Sequence, residues 1–275
     1  MGFIHVEVVG LPGSGKTTVS KKACKRRRKD TGKTGQTRTR MCMWSYAYPV
    51  ALCRRISPIQ TDLFCRQLFP RFIHPVGQRL PNNLISYIKS GAKTENKDGT
   101  DDYSSDFLRL SKQLADKYTE DNNRRTKVVE MIDNRLTECD IMDAELSDDV
   151  VVLFDEGFVQ RTHSIFCPPK PLQDIERDDL RQYLSAMPEP DFVVFLDVTP
   201  ELAEKRMQSR KDGYPDSYSH MNTDEILSNL KRTEKCFDTV ASILSEMDIQ
   251  VARIENTETP EGAAEELREK IVAYF

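Results

Sequence analysis

The sequence predicts an α/β fold: a parallel sheet covered by helices on both faces, with a helical insertion between the second and third strands. Three observations predict it. The apolar run Phe3–Val9 leads into a glycine-rich loop, Gly10-Leu11-Pro12-Gly13-Ser14-Gly15-Lys16-Thr17, and then into a segment that can be helical. Two further runs, Val150–Phe154 and Phe192–Leu196, are continuously apolar and end in acids, as interior parallel strands do. Elsewhere apolar residues recur at helical spacing.

Taken in order, Phe3–Val9 is the first strand and Thr18–Lys29 the first helix. Lys21–Arg40 is basic throughout, with Asp30 as its only acid. It reads as a solvated helix end, where cations suit the dipole, with a contact to an anionic partner as the alternative. Asp30–Gly35 is a loop, and Thr39–Tyr46 is the second strand, with Trp44 in the core or stacked on a ligand. Residues 47–149 form the insertion. Leu63 and Leu68, Leu84 and Ile88, Phe107 and Leu114, and Val128, Ile132 and Leu136 mark its helices. Lys93–Asp102 is a polar loop, and Glu138–Asp149 is a helix end and turn. Val150–Phe154 is the third strand and Phe192–Leu196 the fourth, with a helix at Glu176–Ala186 between them. Pro200 opens a helix at a favoured first-turn position. Asn222–Met247 is a long amphipathic helix, Ile249–Ile254 the last strand, and Pro260 or Glu261 starts the terminal helix.

The 275 residues suffice for one large α/β domain with an insertion. Charged residues make up 31% and hydrophobic ones 38%, the balance of a globular chain with much exposed helix. A net charge of −4 argues against a nucleic-acid polycation. No apolar run is long enough to span a membrane, and no secretory signal is visible, so a cytoplasmic protein is expected. The seven cysteines form no C-x-x-C pair and are read as reduced thiols. No internal repeat is evident, and monomer and homodimer are both open.

Gly10–Thr17 has the form G-x-x-x-x-G-K-[ST], the Walker A phosphate loop, in the strand–loop–helix context that this motif needs. Gly10, Gly13 and Gly15 let the main chain approach a ligand closely, and Pro12, Ser14 and Thr18 complete the loop and helix start. Exposed N–H groups at a helix N-terminus form an anion site. Lys16 would reach the β- and γ-phosphates, and Thr17 would hold Mg²⁺. A nucleoside triphosphate with Mg²⁺ is therefore the expected ligand. Asp155 ends the third strand, where a carboxylate faces that metal, and Glu156 is placed to accept the proton of an attacking hydroxyl. Capping of the next helix is the plain alternative for both acids. Arg161, one turn on, would meet the transferred phosphoryl or the acceptor. Arg206 and Arg210, four apart on one helix, would share a face and neutralise the γ-phosphate in the transition state.

Leu196–Arg210 and Ile254–Gly262, together with Gly10–Thr17, resemble the strand, helix and lid entry, the last loop, and the phosphate loop of thymidylate-kinase-like proteins. The resemblance implies the P-loop nucleoside and nucleotide kinase group: a three-layer fold on a five-stranded parallel sheet and a lid that closes over ATP. It further implies phosphoryl transfer to a small-molecule acceptor and places Thr257 beside the adenine. Residues 1–46 and 150–275 would be the nucleotide-binding core, with 47–149 as the acceptor-side insertion. One departure bears on the acceptor. Thymidylate kinases resemble one another in an Asp-Arg pair after the third strand and deoxynucleoside kinases in Glu-Arg-Ser, whereas this chain has Asp155-Glu156. A second acid in place of the arginine favours a neutral hydroxyl acceptor, a nucleoside or sugar, over a nucleoside monophosphate, unless Arg161 or Arg54-Arg55 supplies the charge.

Rival readings fit less well. Asn96-Lys97-Asp98-Gly99 has the wrong spacing for the base-reading motif of a GTPase, and the Leu-Ser-Gly-Gly-Gln signature of transport ATPases is absent. A non-catalytic ATP-binding regulator is the remaining alternative, against which Lys16, Asp155 and both arginines argue. His163, a lone histidine near the acids, is a weak signal.

Overall fold

The structure is a computed structural model that describes residues 3–24, 40–43, 101–146, 148, 150–211 and 213–275, with the backbone alone at 40, 42, 43 and 101–103. The first strand, β1 (Ile4–Val9), is buried along almost its whole length and leads through the glycine loop into α1 (Lys16–Ala23). α1 starts two residues before the predicted Thr18, because Gly15 takes a left-handed conformation (φ 88°) and serves as N-cap. Residues 25–29 of the predicted helix lie outside the described residues, as do Trp44, Arg54 and Arg55. β2 is Arg40–Met43, and Tyr46 at the far end of the predicted strand is likewise outside.

Two long helices follow, α2 (Asp101–Tyr118) and α3 (Asn122–Glu145). Asp101 and Asp102, placed by the sequence reading in a polar loop, are already helical. Acids suit a helix N-terminus, where the dipole favours negative charge. Residues 93–100 lie outside the described residues. Asp121 caps α3 by accepting the Arg124 N–H at 3.0 Å. β3 (Val150–Phe154) is fully buried and gives way to α4 (Phe158–Phe166) and α5 (Arg177–Ala186). β4 (Phe192–Asp197) is followed by α6 (Pro200–Gln208), with Pro200 in its first turn and the Thr199 hydroxyl accepting the Leu202 N–H. α7 (Thr223–Glu246) opens with a capping box between Asn222 and Glu225. β5 (Val251–Glu255) and α8 (Pro260–Tyr274) end the chain.

All strand pairs are parallel, in the order β2-β3-β1-β4-β5. The order reverses at β1, which lies between β3 and β4, so the carboxyl ends of β1 and β3 open onto one crevice, where open α/β sheets bind ligands. Alternation along the strands divides the core. Val6, Val8, Val151, Leu153, Val194 and Leu196 face α1 and α8. Val9, Val193 and Phe195 face the other helical layer. Phe107 and Leu114 of α2, and Val128, Ile132 and Leu136 of α3, belong to that second cluster. Further along, α3 covers the sheet beside β3, where Ile141 and Met142 pack against Val150, Val152 and Phe154. The described part of the insertion is thereby built into the main core. Cys24, Cys139, Cys167 and Cys236 carry free thiols. Among the described residues no helix is long and apolar enough to cross a membrane.

Candidate functional site

The glycine loop is held by contacts from three distant elements. Within it, the Ser14 N–H donates to the Leu11 carbonyl at 2.9 Å, and Gly13 and Gly15 have φ of 92° and 88°. A Cβ on Gly13 would lie 2.3 Å from the Ala203 carbonyl oxygen, so the loop sits directly on α6. From α4, the Gln160 side chain accepts the Gly10 N–H at 2.9 Å and donates to the Gly10 carbonyl at 3.2 Å. From the end of β5, Asn256 donates to the Ser14 carbonyl at 2.6 Å. Gly15, the N-cap, has no side chain to accept them, so the first N–H groups of α1 can serve an anion.

Lys16 is buried and folds back on the loop, donating to the carbonyls of Gly10 at 2.8 Å and Leu11 at 3.3 Å. Burial pushes its pKa down and the nearby Arg161 and Arg210 add to this, while Glu156 and Asp155 oppose it. Thr17 points to the end of β3, where its hydroxyl donates to Asp155 Oδ2 at 2.5 Å. The pair fits Mg²⁺, which is held by one or two carboxylates together with substrate phosphates rather than by an all-protein cage. Among the described residues no cluster of three or more His, Cys, Asp or Glu offers such a cage.

The turn that carries Asp155 and Glu156 is set by an acid from the middle of β1. The fully buried Glu7 carboxylate accepts the N–H groups of Phe158 at 2.7 Å and Val159 at 2.8 Å. It thereby caps α4, whose positive N-terminal end stabilises the charge. Gly157 is required beside it, since a Cβ there would lie 2.2 Å from the Glu7 carboxyl carbon. Beyond this turn Glu156 pairs with Arg161 at 2.9 Å. His163 is pushed down to about 3, first by burial; the carbonyl of Gln160 opposes the shift, and the charges of Lys16, Arg161 and Arg124 add to it. It is therefore neutral at pH 7, with Nδ1 donating to that carbonyl at 2.6 Å.

These elements enclose a cavity of about 490 Å³. Its walls are Pro12, Gly13 and Gly15–Thr18 of the loop, Arg124 and Lys127 of α3, Glu156, Gln160, Arg161, His163 and Ser164, and Arg210 with the segment Pro215–Tyr218. Gly10 and Ser14 lie behind this surface as parts of the loop's support, and Thr257 is exposed outside it. The two arginines expected to share a helix face part company. α6 ends at Gln208, and the Arg210 N–H donates to the Met207 carbonyl in the turn that follows. Arg210 lines the cavity, whereas Arg206 lies beneath the loop and donates to the carbonyls of Asn256 at 2.8 Å and Ser14 at 3.5 Å. We expect Arg206→Ala to loosen the loop, lowering both thermal stability and ATP affinity. Arg210→Ala should instead lower kcat more than it raises the KM for ATP. Thermal unfolding and steady-state kinetics of the two variants check this, and identical profiles would contradict it.

Glu7, Gln160, Asn256, Arg124 and Lys127 are missing from the sequence reading. Each acts across a long sequence separation and carries no local motif. The one available signal was position: Gln160 lies one turn beyond Glu156, and Asn256 directly follows the last strand. No protein-family model and no curated protein matches the chain.

Proposed function

We propose that this protein is a phosphotransferase of the P-loop nucleoside and nucleotide kinase type, moving the γ-phosphoryl group of ATP to a hydroxyl of a small acceptor. The observation that carries the reading is convergence. Lys16 and Thr17 from the glycine loop meet Glu156 at the end of β3 and Arg161 of α4 around one cavity, with Asp155 bonded to the Thr17 hydroxyl. The loop N–H groups and Lys16 bind the phosphates, with Lys16 exchanging the Gly10 and Leu11 carbonyls for phosphate oxygens. Thr17 and Asp155 would hold Mg²⁺, which neutralises phosphate charge and fixes its orientation. Arg210 and Arg161 face the charge that spreads over the phosphoryl oxygens in transfer. Glu156 takes the acceptor's proton, and its pairing with Arg161 holds the carboxylate in place until then.

A non-catalytic ATP-binding role shares the same loop but gives no task to Glu156, Arg161 and Arg210 at the cavity. The test is ADP formation from ATP and Mg²⁺ with a panel of nucleosides, sugars and their monophosphates, against an acceptor-free control. At least one acceptor should accelerate ADP release and acquire the phosphate. ATP binding without acceleration by any of them would favour the regulatory role, and absence of ATP binding would end both readings.

A further inference from the structure

The cavity holds more positive charge than the glycine loop and β3 supply. Arg124 and Lys127 are three apart on α3 and so present side chains to one wall. With Lys16, Arg161 and Arg210 they outnumber the acids that line the cavity, Glu156 and Asp216. Arg161 is engaged by Glu156, and His163 contributes no charge at neutral pH. The Arg124 side chain is half-buried, and burial pushes its pKa down. Its side chain donates to the Ser164 carbonyl, at 3.3 Å from Nε and 3.1 Å from Nη2. Among the described residues neither Arg124 nor Lys127 pairs with a carboxylate. A guanidinium partly withdrawn from water and bonded only to a carbonyl gains from an anion entering the cavity.

We infer that Arg124 and Lys127 form an oxyanion subsite for the acceptor, which therefore bears a phosphate-like group in addition to the hydroxyl that is phosphorylated. This rests on the phosphotransferase reading above. The missing arginine after Asp155 pointed to a neutral acceptor; α3 supplies the cation from a different element. Arginine matches the planar two-oxygen edge of a phosphate, and lysine adds a flexible point charge at its rim.

The test uses the full chain saturated with Mg²⁺ and a non-hydrolysable ATP analogue, so that the glycine loop is filled, and titrates inorganic phosphate as the probe. Phosphate should bind, and Arg124→Gln and Lys127→Gln should each weaken it by about tenfold, the scale of one charge-assisted contact. Arg124 also holds the end of α4, so Lys127→Gln, an exposed position, keeps the test decisive if Arg124→Gln folds poorly. In parallel, the kcat/KM ratio for thymidine monophosphate over thymidine, or for whichever acceptor pair is turned over, should fall about tenfold in Lys127→Gln. Phosphate that fails to bind the analogue-loaded protein, or binds Lys127→Gln as tightly as the parent, overturns the subsite and leaves the phosphotransferase reading standing. Failure of the analogue itself to bind removes that reading instead, and phosphate titration of the nucleotide-free protein then judges the α3 subsite by the same criterion.

Discussion

Lys16→Ala is expected to remove at least about nine-tenths of acceptor-dependent ADP formation, a loss of more than about 1.4 kcal/mol of transition-state stabilisation. The argument starts from where the ammonium sits. Lys16 is buried at the first turn of α1, tied to two carbonyls of its own loop, and within the field of Asp155 and Glu156. A buried cation with neutral partners is poorly solvated, and a triphosphate is the stronger partner. Alanine leaves the N–H cradle intact and removes the positive charge that would balance the β- and γ-phosphates. The alanine variant should still fold, because the loop remains clamped by Gln160, Asn256 and Arg206. Circular dichroism and thermal unfolding check that point, and a turnover assay gives the result. A variant that keeps more than about a tenth of the parent rate would mean that Lys16 is a structural strut of the loop.

The second large effect separates the adjacent acids. Glu156→Gln should lower kcat by roughly 10²–10⁴ with ATP affinity preserved, as loss of a general base does. Asp155→Asn should reduce turnover and raise the Mg²⁺ requirement together, because Asp155 is buried against the Thr17 hydroxyl. The structure adds a sharper control, since Glu156 also holds Arg161. If Glu156 serves only to orient Arg161, then the double variant should be no more damaged than Arg161→Met alone. Additive losses would show two separate tasks, proton acceptance by one side chain and charge stabilisation by the other. Equal loss of ATP binding in Glu156→Gln and Asp155→Asn would move Glu156 from base to metal or structural residue.

The legible parts of the site are those written in consecutive residues. Gly10–Thr17 reads directly because backbone freedom, helix start and the lysine all lie within one turn of chain. Asp155 reads because an uninterrupted apolar run must be a buried strand and its first polar residue must leave the sheet. Arg206 and Arg210 misled because the four-residue rule holds only while the helix lasts, and α6 stops between them. The polar loop lost its last two residues to α2 for a similar reason: a cluster of polar residues suits a helix N-terminus as well as it suits a turn.

What the sequence by itself determined was the α/β class, the strand–loop–helix at the N-terminus, and the identity of the residues at the ends of β1 and β3. Each follows from periodicity, backbone freedom or burial within a window of a dozen residues, where the physics is local. Only the tertiary structure decided which side chains support those residues. Glu7 reaches α4 across 151 positions, Gln160 reaches Gly10 across 150, and Asn256 reaches Ser14 across 242. Parallel strands place the carboxyl ends of distant segments side by side, and nothing in a local stretch encodes which neighbour that will be. The same holds for Arg124 and Lys127. On the sequence they are two of four cations on a polar helix, and they reach the wall of the cavity only because α3 packs against α4.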